Sequence, residues 1–461
     1  MSVPTTVLVL ASPGQGHVNP LMILSQRLVE YGCNIIFVNT ESIHNKVITS
    51  MGNQEGGFTE QSRIKLVSIP DGLGPDADRS NLGELLDSIM KSMPAKLEKL
   101  IEDLRLKDGV TLSCIVIDVV VAWALEIARK IGIKGVLFYP SSATALALQH
   151  SIPKLIEDGI IDSNGLPITQ KTFQLSPSFP PMDTTCIWWA KTYPLLHGNE
   201  IFNQFVHLMQ TVEPPEWWLC NSTPDLEPGA LSYTPKLLPI GPLLRSYEDD
   251  KERSLGQFWE EDLSCINWLD QQPHASVVYL AFGSSTLFDN KQFAELALGL
   301  ELANRPFLWV VRQDSDSDSD YNNKVSLPNE FKGNQGKIVK WAPQQKVLSH
   351  PAIACFVSHC GWNSTIEGLS NGVPFLCWPY FADQFLNKTY ICDALKVGLG
   401  FDSDETGLIS HEEIKDKVDK VLKDGNIRSR AHVLKEKLLN NLKDGGTSSE
   451  NLNKFVKWLN E

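Results

Sequence analysis

Residues 341–384 read WAPQQKVLSHPAIACFVSHCGWNSTIEGLSNGVPFLCWPYFADQ, and this stretch decides the fold of the second half of the chain. Two apolar runs within it, 353–357 and 373–378, predict strands, and glycine, aromatic and polar residues directly follow each of them. Continuous apolar strands that alternate with helices indicate a parallel sheet covered on both faces. Ligands of such sheets bind beyond the carboxyl ends of the strands, where this stretch places its polar side chains.

The same alternation continues outside this stretch. Further strands are predicted at 6–10, 34–38, 64–69, 113–117, 135–138, 276–282, 307–311 and 337–340. Helices are predicted at 20–31, 82–104, 122–131, 291–303, 385–395, 414–422, 431–442 and 449–459. Segment 152–235 is rich in Pro and Trp and is predicted to be irregular. The pattern predicts an α/β fold with two Rossmann-like doubly wound domains that face each other across a cleft. Their predicted bounds are 1–245 and 264–442, with a charged linker at 246–263 and a final helical segment at 443–461.

The formal net charge of the 461 residues is −14. Bulk electrostatics therefore disfavour nucleic acid and anionic membranes as partners. An anionic ligand must be held locally, by backbone amides, helix ends or a few side chains. The acidic run at 314–320 reads DSDSDSD, and a solvated loop is favoured there over a calcium or phosphorylation site.

Nine cysteines at irregular spacing, with no CxxC pair, indicate free thiols in a reducing compartment. The first residues lack the basic region of a signal peptide, and no apolar run reaches the roughly 20 residues of a membrane helix. We therefore expect a cytoplasmic protein with no membrane partner and no metal site.

Residues 14–20 read GQGHVNP and follow the first predicted strand. Asn19 is predicted to cap a helix that begins at Pro20, which would place His17 just before a helix N-terminus. The positive end of the helix dipole favours a neutral imidazole, the form that a general base requires. A capped loop with an incidental histidine is the alternative. The GxGxxG pattern of dinucleotide folds is absent, since Asn19 stands at its last glycine.

Asp118 directly follows the apolar run SCIVI. A carboxylate at the mouth of an apolar strand is costly unless it has a partner. Orienting His17 would satisfy it, as the aspartate of a catalytic triad does. The alternative is a cap for the helix predicted at 122–131.

Three further clusters follow strands in the second half. Ser364 and Glu367 have the spacing of a capping box, and amides at such a helix start attract phosphate. Trp341 can stack on a base, and Gln344 can bond a hydroxyl or a base edge. Asp383 and Gln384 suit sugar hydroxyls. Together the clusters indicate a nucleotide-sugar ligand.

These residues resemble the plant family-1 glycosyltransferases of secondary metabolism, which transfer sugars from UDP-sugars to small acceptors. The stretch 341–384 looks like their signature box, with WAPQ, HCGWNS, a glutamate and a final DQ. PGQGHVNP at 13–20, Asp118 and FGS at 282–284 also fall in the family's order. Ala354 departs from the pattern, where glycine is common. The resemblance implies the GT-B fold, with the C-terminal helix returning to the N-terminal domain.

The resemblance also implies residue roles. His17 would be the base and Asp118 its partner. Trp341 would stack on uracil, with the Ala342 backbone pairing to the base and Gln344 near the ribose. Glu367 would grip the ribose hydroxyls. The remaining UDP-sugar contacts would be Ser284, His359, Asn363 and Ser364 at the diphosphate, Trp362, Asp383 and Gln384 at the sugar, and Gly16 and Gly361 beside them.

The function implied is inverting transfer of a sugar, glucose by preference, to a hydroxyl or carboxyl of a small lipophilic acceptor. No metal or cofactor is expected, and the protein is expected to act as a monomer. The acceptor pocket is assigned to the N-terminal domain, with Trp123, Ser141, Trp188, Trp189 and Phe381 as proposed lining. Packing of these aromatics in the protein core is the alternative. A non-catalytic binding protein and a nicotinamide-dependent oxidoreductase remain as alternative functions.

Overall fold

The computed structural model describes residues 5–51, 63–192, 202–203, 206, 216–234, 236–245, 255–286, 288–312, 327–328 and 330–461. The acidic run at 314–320 and residues 246–254 of the predicted linker lie outside this part. The chain forms two compact units. Unit 1 comprises Met1–Glu260 and Asn440–Glu461, and unit 2 comprises Glu261–Leu439.

Unit 1 is built on a parallel sheet of seven strands in the order β3-β2-β1-β4-β5-β8-β9. The strands are β1 (Thr6–Leu10), β2 (Asn34–Thr40), β3 (Ile64–Ile69), β4 (Cys114–Asp118), β5 (Lys134–Tyr139), β8 (Trp218–Cys220) and β9 (Leu237–Pro239). The short strands β6 (Thr172–Phe173) and β7 (Met182–Asp183) pair antiparallel outside it. The chain leaves β1 for β2 on one side and returns to β4 on the other. The gap between β1 and β4 is therefore the topological switch point, where α/β sheets bind ligands.

The helices of unit 1 follow the strands they cover. They span Gln15–Glu30, Glu41–Ser50, Leu82–Leu106, Ala124–Lys130, Ala143–His150, Ile152–Glu157, Trp188–Thr192, Pro228–Tyr233 and Thr447–Asn460. Alternate residues of the central strands, such as Val9 and Val116, pack with Leu24 and Phe455 in one core cluster. The C-terminal helix is thus part of unit 1, where Asn451 donates to the Pro239 carbonyl at 2.8 Å.

Segment 152–235 is more regular than the sequence indicated. Its described residues include the helices Ile152–Glu157, Trp188–Thr192 and Pro228–Tyr233 and the strand β8, which pairs in register with β5 and β9. Three-residue strands carry too little periodicity for recognition, because only their neighbours in the sheet define them. The prediction of an irregular segment was therefore wrong at these elements.

Unit 2 carries a second parallel sheet, with six strands in the order β12-β11-β10-β13-β14-β15. They are β10 (Val277–Ala281), β11 (Phe307–Val310), β12 (Gly336–Val339), β13 (Ile353–Ser358), β14 (Phe375–Cys377) and β15 (Gly398–Gly400). The order has the form 3-2-1-4-5-6 of the Rossmann fold. Its switch point lies between β10 and β13, so loops that follow these two strands should hold the ligand of this unit.

The helices of unit 2 span Ser264–Leu269, Asn290–Ala303, Gln344–Ser349, Trp362–Asn371, Gln384–Thr389, His411–Lys423 and Gly425–Asn440, with a π-helical turn at Tyr390–Ala394. Leu280 and Val357 of the sheet share a core cluster with Leu296 and Val418 of two covering helices. The described helices include none that is both long and apolar enough to cross a membrane.

Candidate active site

The helix that carries His17 starts earlier than the sequence indicated. It runs from Gln15 to Glu30 with Gly14 as N-cap, and the amides of His17 and Val18 both bond to the Gly14 carbonyl. Asn19 is therefore not the cap, and Pro20 lies inside the helix. The proline is tolerated because it forfeits only one backbone bond near the start of the helix. His17 consequently lies in the first helical turn rather than before it.

His17 and Asp118 are 101 positions apart in sequence, yet their side chains form a close pair. β1 and β4 are parallel neighbours, with Leu10 opposite Ile117, so the residues that follow them meet at the switch point. Nδ1 of His17 lies 2.8 Å from Oδ2 of Asp118. The carboxylate is fully buried, whereas the His17 side chain is 32% exposed. Asp118 thereby favours a proton on Nδ1 and leaves Nε2 as the site that accepts one.

Asp118 also fills the structural role considered as its alternative. Its Oδ1 accepts the Val120 amide at 2.9 Å and caps the 3₁₀ turn Val119–Val121. The predicted helix at 122–131 begins only at Ala124. One carboxylate therefore serves both partners, and the two interpretations of Asp118 do not exclude each other.

Gln15 and Asn19 bind the chain segment that ends unit 1. Gln15 Nε2 donates to the Gly256 carbonyl at 3.2 Å, and Gln15 Oε1 accepts the Phe258 amide at 2.8 Å. Asn19 Oδ1 accepts from Gln257 at 3.3 Å and also from Arg245. The sequence offered no signal for this role, because the partners are more than two hundred positions away.

In unit 2, His359 follows β13 and lies between two glycines. A Cβ on Gly283 would come within 2.5 Å of His359 Nε2, and a Cβ on Gly361 within 2.4 Å. Gly283 also has a φ of +70°. Both positions therefore require glycine for the imidazole to fit. Gly283, which follows β10, was quoted in the FGS motif, but sequence reasoning assigned it no role.

Burial lowers the pKa of His359 to about 4, with the charge of Arg312 acting in the same direction and a hydrogen bond with the Ala281 backbone opposing it. The imidazole is therefore neutral near pH 7. A neutral ring can still donate one N–H to an anion. The residue is suited to hydrogen bonding rather than to charge neutralisation.

The turn between His359 and the next helix is strained. Cys360 has a φ of +65°, the left-handed region that non-glycine residues rarely adopt. Its amide donates to Ser358 Oγ at 3.1 Å, and its carbonyl accepts a hydrogen bond from Asn387 Nδ2 at 2.9 Å. Such conformations persist only where surrounding contacts impose them, and they cluster at functional sites.

Ser364 and Glu367 do not form the predicted capping box. The helix Trp362–Asn371 is capped by Gly361, so Ser364 lies in the first turn and Glu367 in the second. The first helical backbone bond runs from Thr365 to Gly361. Amides of the first turn have no partner within a helix, so this turn remains a suitable place for phosphate. The capping prediction was wrong because helix starts are set by the preceding backbone.

Glu367 instead belongs to a buried network with two glutamines. Gln344 Nε2 donates to Glu367 Oε2 at 2.6 Å and to Ser364 Oγ at 2.8 Å. Gln345 Nε2 donates to Glu367 Oε1 at 3.2 Å. Tyr279 of β10 donates to Gln344 Oε1 at 3.2 Å, and burial, with the charge of Glu367, raises the pKa of the phenol. The network joins four residues of the signature box. Sequence reasoning selected Gln344, Ser364 and Glu367 but missed Gln345 and Tyr279.

Gln384 organises the turn after β14. Its Oε1 accepts the amides of Tyr380 and Phe381 at 2.7 and 3.0 Å, and Asp383 Oδ2 accepts from Asn387 at 3.0 Å. Ala382, between these groups, has a φ of +53°. The fixed acceptor leaves the amide nitrogen of Gln384 as the atom that can turn to a ligand.

Trp341 and Ala342 follow β12. Trp341 is half-buried, and its carbonyl accepts the Asp262 amide at 2.9 Å. Ala342 is buried. Ser284, after β10, is half-buried, and Gly16 is exposed in the first turn of the His17 helix. Unit 2 thus gathers most of the predicted UDP-sugar residues after β10, β12, β13 and β14.

The proposed acceptor residues fall in different surroundings. Trp123 is half-buried beside the Asp118 turn, and Ser141 is half-buried after β5. Trp188 and Trp189 are buried in a short helix, and Trp189 Nε1 donates to the Gly165 carbonyl at 2.8 Å. Phe381 lies in unit 2. Burial and the hydrogen bond to Gly165 thus explain the position of Trp189 without an acceptor molecule.

The part of the chain that the structure describes contains no group of three or more His, Cys, Asp or Glu side chains placed to hold a metal. All nine cysteines are unpaired by disulfides, and eight of them are buried.

Two Rossmann-type sheets, one with a histidine–carboxylate pair and the other with a helix start beside a neutral imidazole, agree with the class that the resemblance implied, and comparisons with known proteins identify the family. The sequence profile of UDP-glucoronosyl and UDP-glucosyl transferases matches residues 257–438. UDP-glycosyltransferase 83A1 from Arabidopsis thaliana is 43% identical over 98% of this chain and 96% of that relative. The chain belongs to the UDP-glycosyltransferase family.

Other relatives and solved structures agree. Linamarin synthase 1 from Manihot esculenta is 33% identical over 98% of this chain and 96% of its own. Os79 from O. sativa, in complex with U2F and trichothecene, has a TM-score of 0.77 and 27% identity over 98% of this chain and 100% of that one. A UDP-glucosyltransferase from Polygonum tinctorium, in complex with 3,4-dichloroaniline, has a TM-score of 0.81 and 26% identity, with both chains fully covered. The predicted family, GT-B fold class and enzyme class are confirmed.

Proposed function

We propose that this protein transfers glucose from UDP-glucose to a small lipophilic acceptor with inversion, giving a β-glycoside. The observation that carries the proposal is the His17–Asp118 pair at the switch point of unit 1. A half-exposed imidazole held by a buried carboxylate is the arrangement of a general base.

The donor is assigned to unit 2. Relatives of known structure bind UDP or a UDP-sugar analogue, as the complexes of Os79 with UDP and with U2F show for that protein. In this chain, Trp341, Gln344 and Glu367 would bind the nucleoside. The Trp362 helix start, Ser284 and His359 would bind the diphosphate, and Asp383 and Gln384 the sugar. Glucose is favoured by the final glutamine of the signature box.

The mechanism follows from these roles. Nε2 of His17 takes the proton of an acceptor hydroxyl, and Asp118 stabilises the imidazolium that forms. The acceptor oxygen bonds to the anomeric carbon as the bond from that carbon to the diphosphate oxygen breaks. Amides at the start of the Trp362 helix and the neutral His359 ring stabilise charge on the departing UDP. No metal or cofactor enters these steps.

The acceptor is proposed to be a small apolar molecule with a hydroxyl or carboxyl group. Relatives support a small, largely apolar acceptor, since trichothecene and 3,4-dichloroaniline are found with two of them. We further propose a monomeric enzyme of plant secondary metabolism, located in the cytoplasm, without nucleic acid or membrane partners. The net charge of −14 and the free cysteines support the location and the absence of polyanionic partners.

The test incubates the purified protein with UDP-glucose and a panel of phenols, alcohols and carboxylic acids. We expect UDP release to match glycoside formation one to one, with a β-configured product by proton NMR and no loss of rate in EDTA. UDP release without glycoside, or an α-configured product, would overturn the proposal. Thermal shifts with UDP and NADPH separate it from an oxidoreductase, since only UDP should raise the melting temperature.

A further inference from the structure

Arg312 lies two residues beyond β11 and holds the loop that follows β10. Its Nη2 donates to the Thr286 carbonyl at 3.1 Å, and its Nη1 donates to the Ser284 carbonyl. β10 and β11 are parallel neighbours in the sheet, so both segments leave at its carboxyl edge. One guanidinium therefore bridges two carbonyls of the same loop.

This loop needs such support. It begins at Gly283 with a left-handed φ of +70°, and the backbone there passes so close to His359 that no Cβ fits. A planar guanidinium offers donors in a fixed fork, which suits two carbonyls two residues apart. The fork holds the backbone on both sides of Ser285 and so positions the part of the loop that carries Ser284.

Arg312 also brings positive charge to a chain whose net charge is −14. Its field reaches the neighbouring imidazole: besides burial, which is the larger cause, the charge of Arg312 lowers the pKa of His359. With the ring neutral, His359 cannot supply a cation to a diphosphate near pH 7. A fixed guanidinium stays charged at any physiological pH and can supply that cation.

We propose that Arg312 is a positioning residue of the diphosphate site, which clamps the 283–286 loop for donor binding and makes unit 2 favour a nucleoside diphosphate over an uncharged nucleoside. The inference rests on the proposed assignment of the UDP-sugar to unit 2. It goes beyond that assignment because neither the signature box nor the capped helix contains Arg312.

The experiment measures UDP and uridine affinity by calorimetry for the full-length wild type, Arg312→Gln and Arg312→Lys. Loss of a charged clamp should weaken UDP binding about tenfold or more in Arg312→Gln, with uridine affinity changed less than about twofold. Arg312→Lys keeps the positive charge but not the planar fork of donors. Its UDP affinity should therefore lie between those of the wild type and Arg312→Gln. Added salt should weaken UDP binding more steeply in the wild type than in Arg312→Gln.

Arg430→Gln is the matched control, because Arg430 also donates to a backbone carbonyl, that of Lys396, at 2.6 Å. Lys396 precedes β15 and so lies at the amino edge of the sheet, away from the site. This variant should bind UDP as the wild type does.

Equal weakening of UDP and uridine binding, or unchanged UDP affinity in both Arg312 variants, would overturn the inference. If Arg312→Gln does not fold, the same comparison of UDP affinity with uridine affinity is made in Arg312→Lys. A wild type that binds no UDP would instead overturn the proposed function.

Discussion

Asp118 holds His17 with one oxygen and its own backbone turn with the other. Oδ2 lies 2.8 Å from Nδ1 of His17, while Oδ1 accepts the Val120 amide at 2.9 Å. The bond to the Val120 amide holds the carboxylate in a buried position at the switch point. The carboxylate then holds the imidazole of His17. The orientation of His17 and the local folding of the turn therefore depend on one side chain, and substitutions can separate them.

His17→Ala should lower the rate of glycoside formation by on the order of 10²–10⁴, because the general base is lost. UDP affinity should stay within about twofold, since the proposed UDP-sugar residues other than Gly16 lie in unit 2. Initial rates with UDP-glucose and an accepted phenol, together with calorimetry for UDP, test both statements. His432→Ala is the histidine control, because His432 is exposed on the helix Gly425–Asn440. Full activity of His17→Ala would refute the assigned role.

Asp118→Asn should reduce activity less than His17→Ala does and should change the pH profile of kcat/KM, because the imidazolium loses its counter-charge. The amide oxygen of asparagine can still accept the Val120 amide, so the melting temperature should change little. Asp118→Ala removes the cap as well and should destabilise the protein by about 1 kcal/mol. An unchanged pH profile in Asp118→Asn would mean that the carboxylate is only structural.

Gln384→Glu and Gln384→Ala distinguish the function of the Gln384 side-chain oxygen from that of its side-chain nitrogen. Glutamate keeps the acceptor for the Tyr380 and Phe381 amides, so the turn should remain folded while the donor to the sugar is lost. We expect a higher KM for UDP-glucose with little change in UDP affinity. Alanine leaves two amides without their acceptor and should also lower stability, by about 1–3 kcal/mol. Thermal melting and donor kinetics of the pair test this, and equal kinetics in wild type and Gln384→Glu would contradict it.

His359 should make the protein less stable in mild acid. Its folded-state pKa of about 4 lies below the unfolded value of 6.5, so the unfolded chain binds more protons between these two values. The stability that the neutral ring provides is present above pH 6.5 and declines as pH falls towards 4. At pH 5 the loss should be about 2 kcal/mol relative to pH 7.

Urea midpoints of the wild type and His359→Gln at pH 7 and 5 measure this contribution. The decline should be smaller in the variant, because other histidines titrate alike in both proteins. Parallel declines would show that His359 is not protonated more easily on unfolding.

Gln15→Ala should lower both stability and turnover. The substitution removes the acceptor of the Phe258 amide and the donor to Gly256, at a cost of about 1–3 kcal/mol. The helix that carries His17 also loses an anchor two residues from the base, so kcat should fall more than UDP affinity. Gln271→Ala is the control, because this exposed glutamine donates to the Asn267 carbonyl, four residues earlier in the chain. A Gln15→Ala enzyme with wild-type melting and kcat would show that this contact is dispensable.

Helix starts mark where reasoning from the sequence failed. Asn19 and Ser364 both have the chemistry of N-caps, yet both lie inside helices that glycines cap. A cap is defined by the backbone that enters the helix, and Gly14 and Gly361 provide the extended entry in these two cases. The polar side chains then serve distant partners, Gln257 for Asn19 and Gln344 for Ser364.

Local periodicity and turn chemistry were enough to predict the alternation of strands and helices, the two parallel sheets and the position of each motif after a strand. Which of these motifs meet depends on the order of the strands in the folded sheets. Strand order placed Asp118 beside His17 across 101 positions, and it brought Arg312 to the loop of Ser284. Such pairings depend on which strands neighbour each other in a sheet, and no local pattern of residues encodes that neighbourhood.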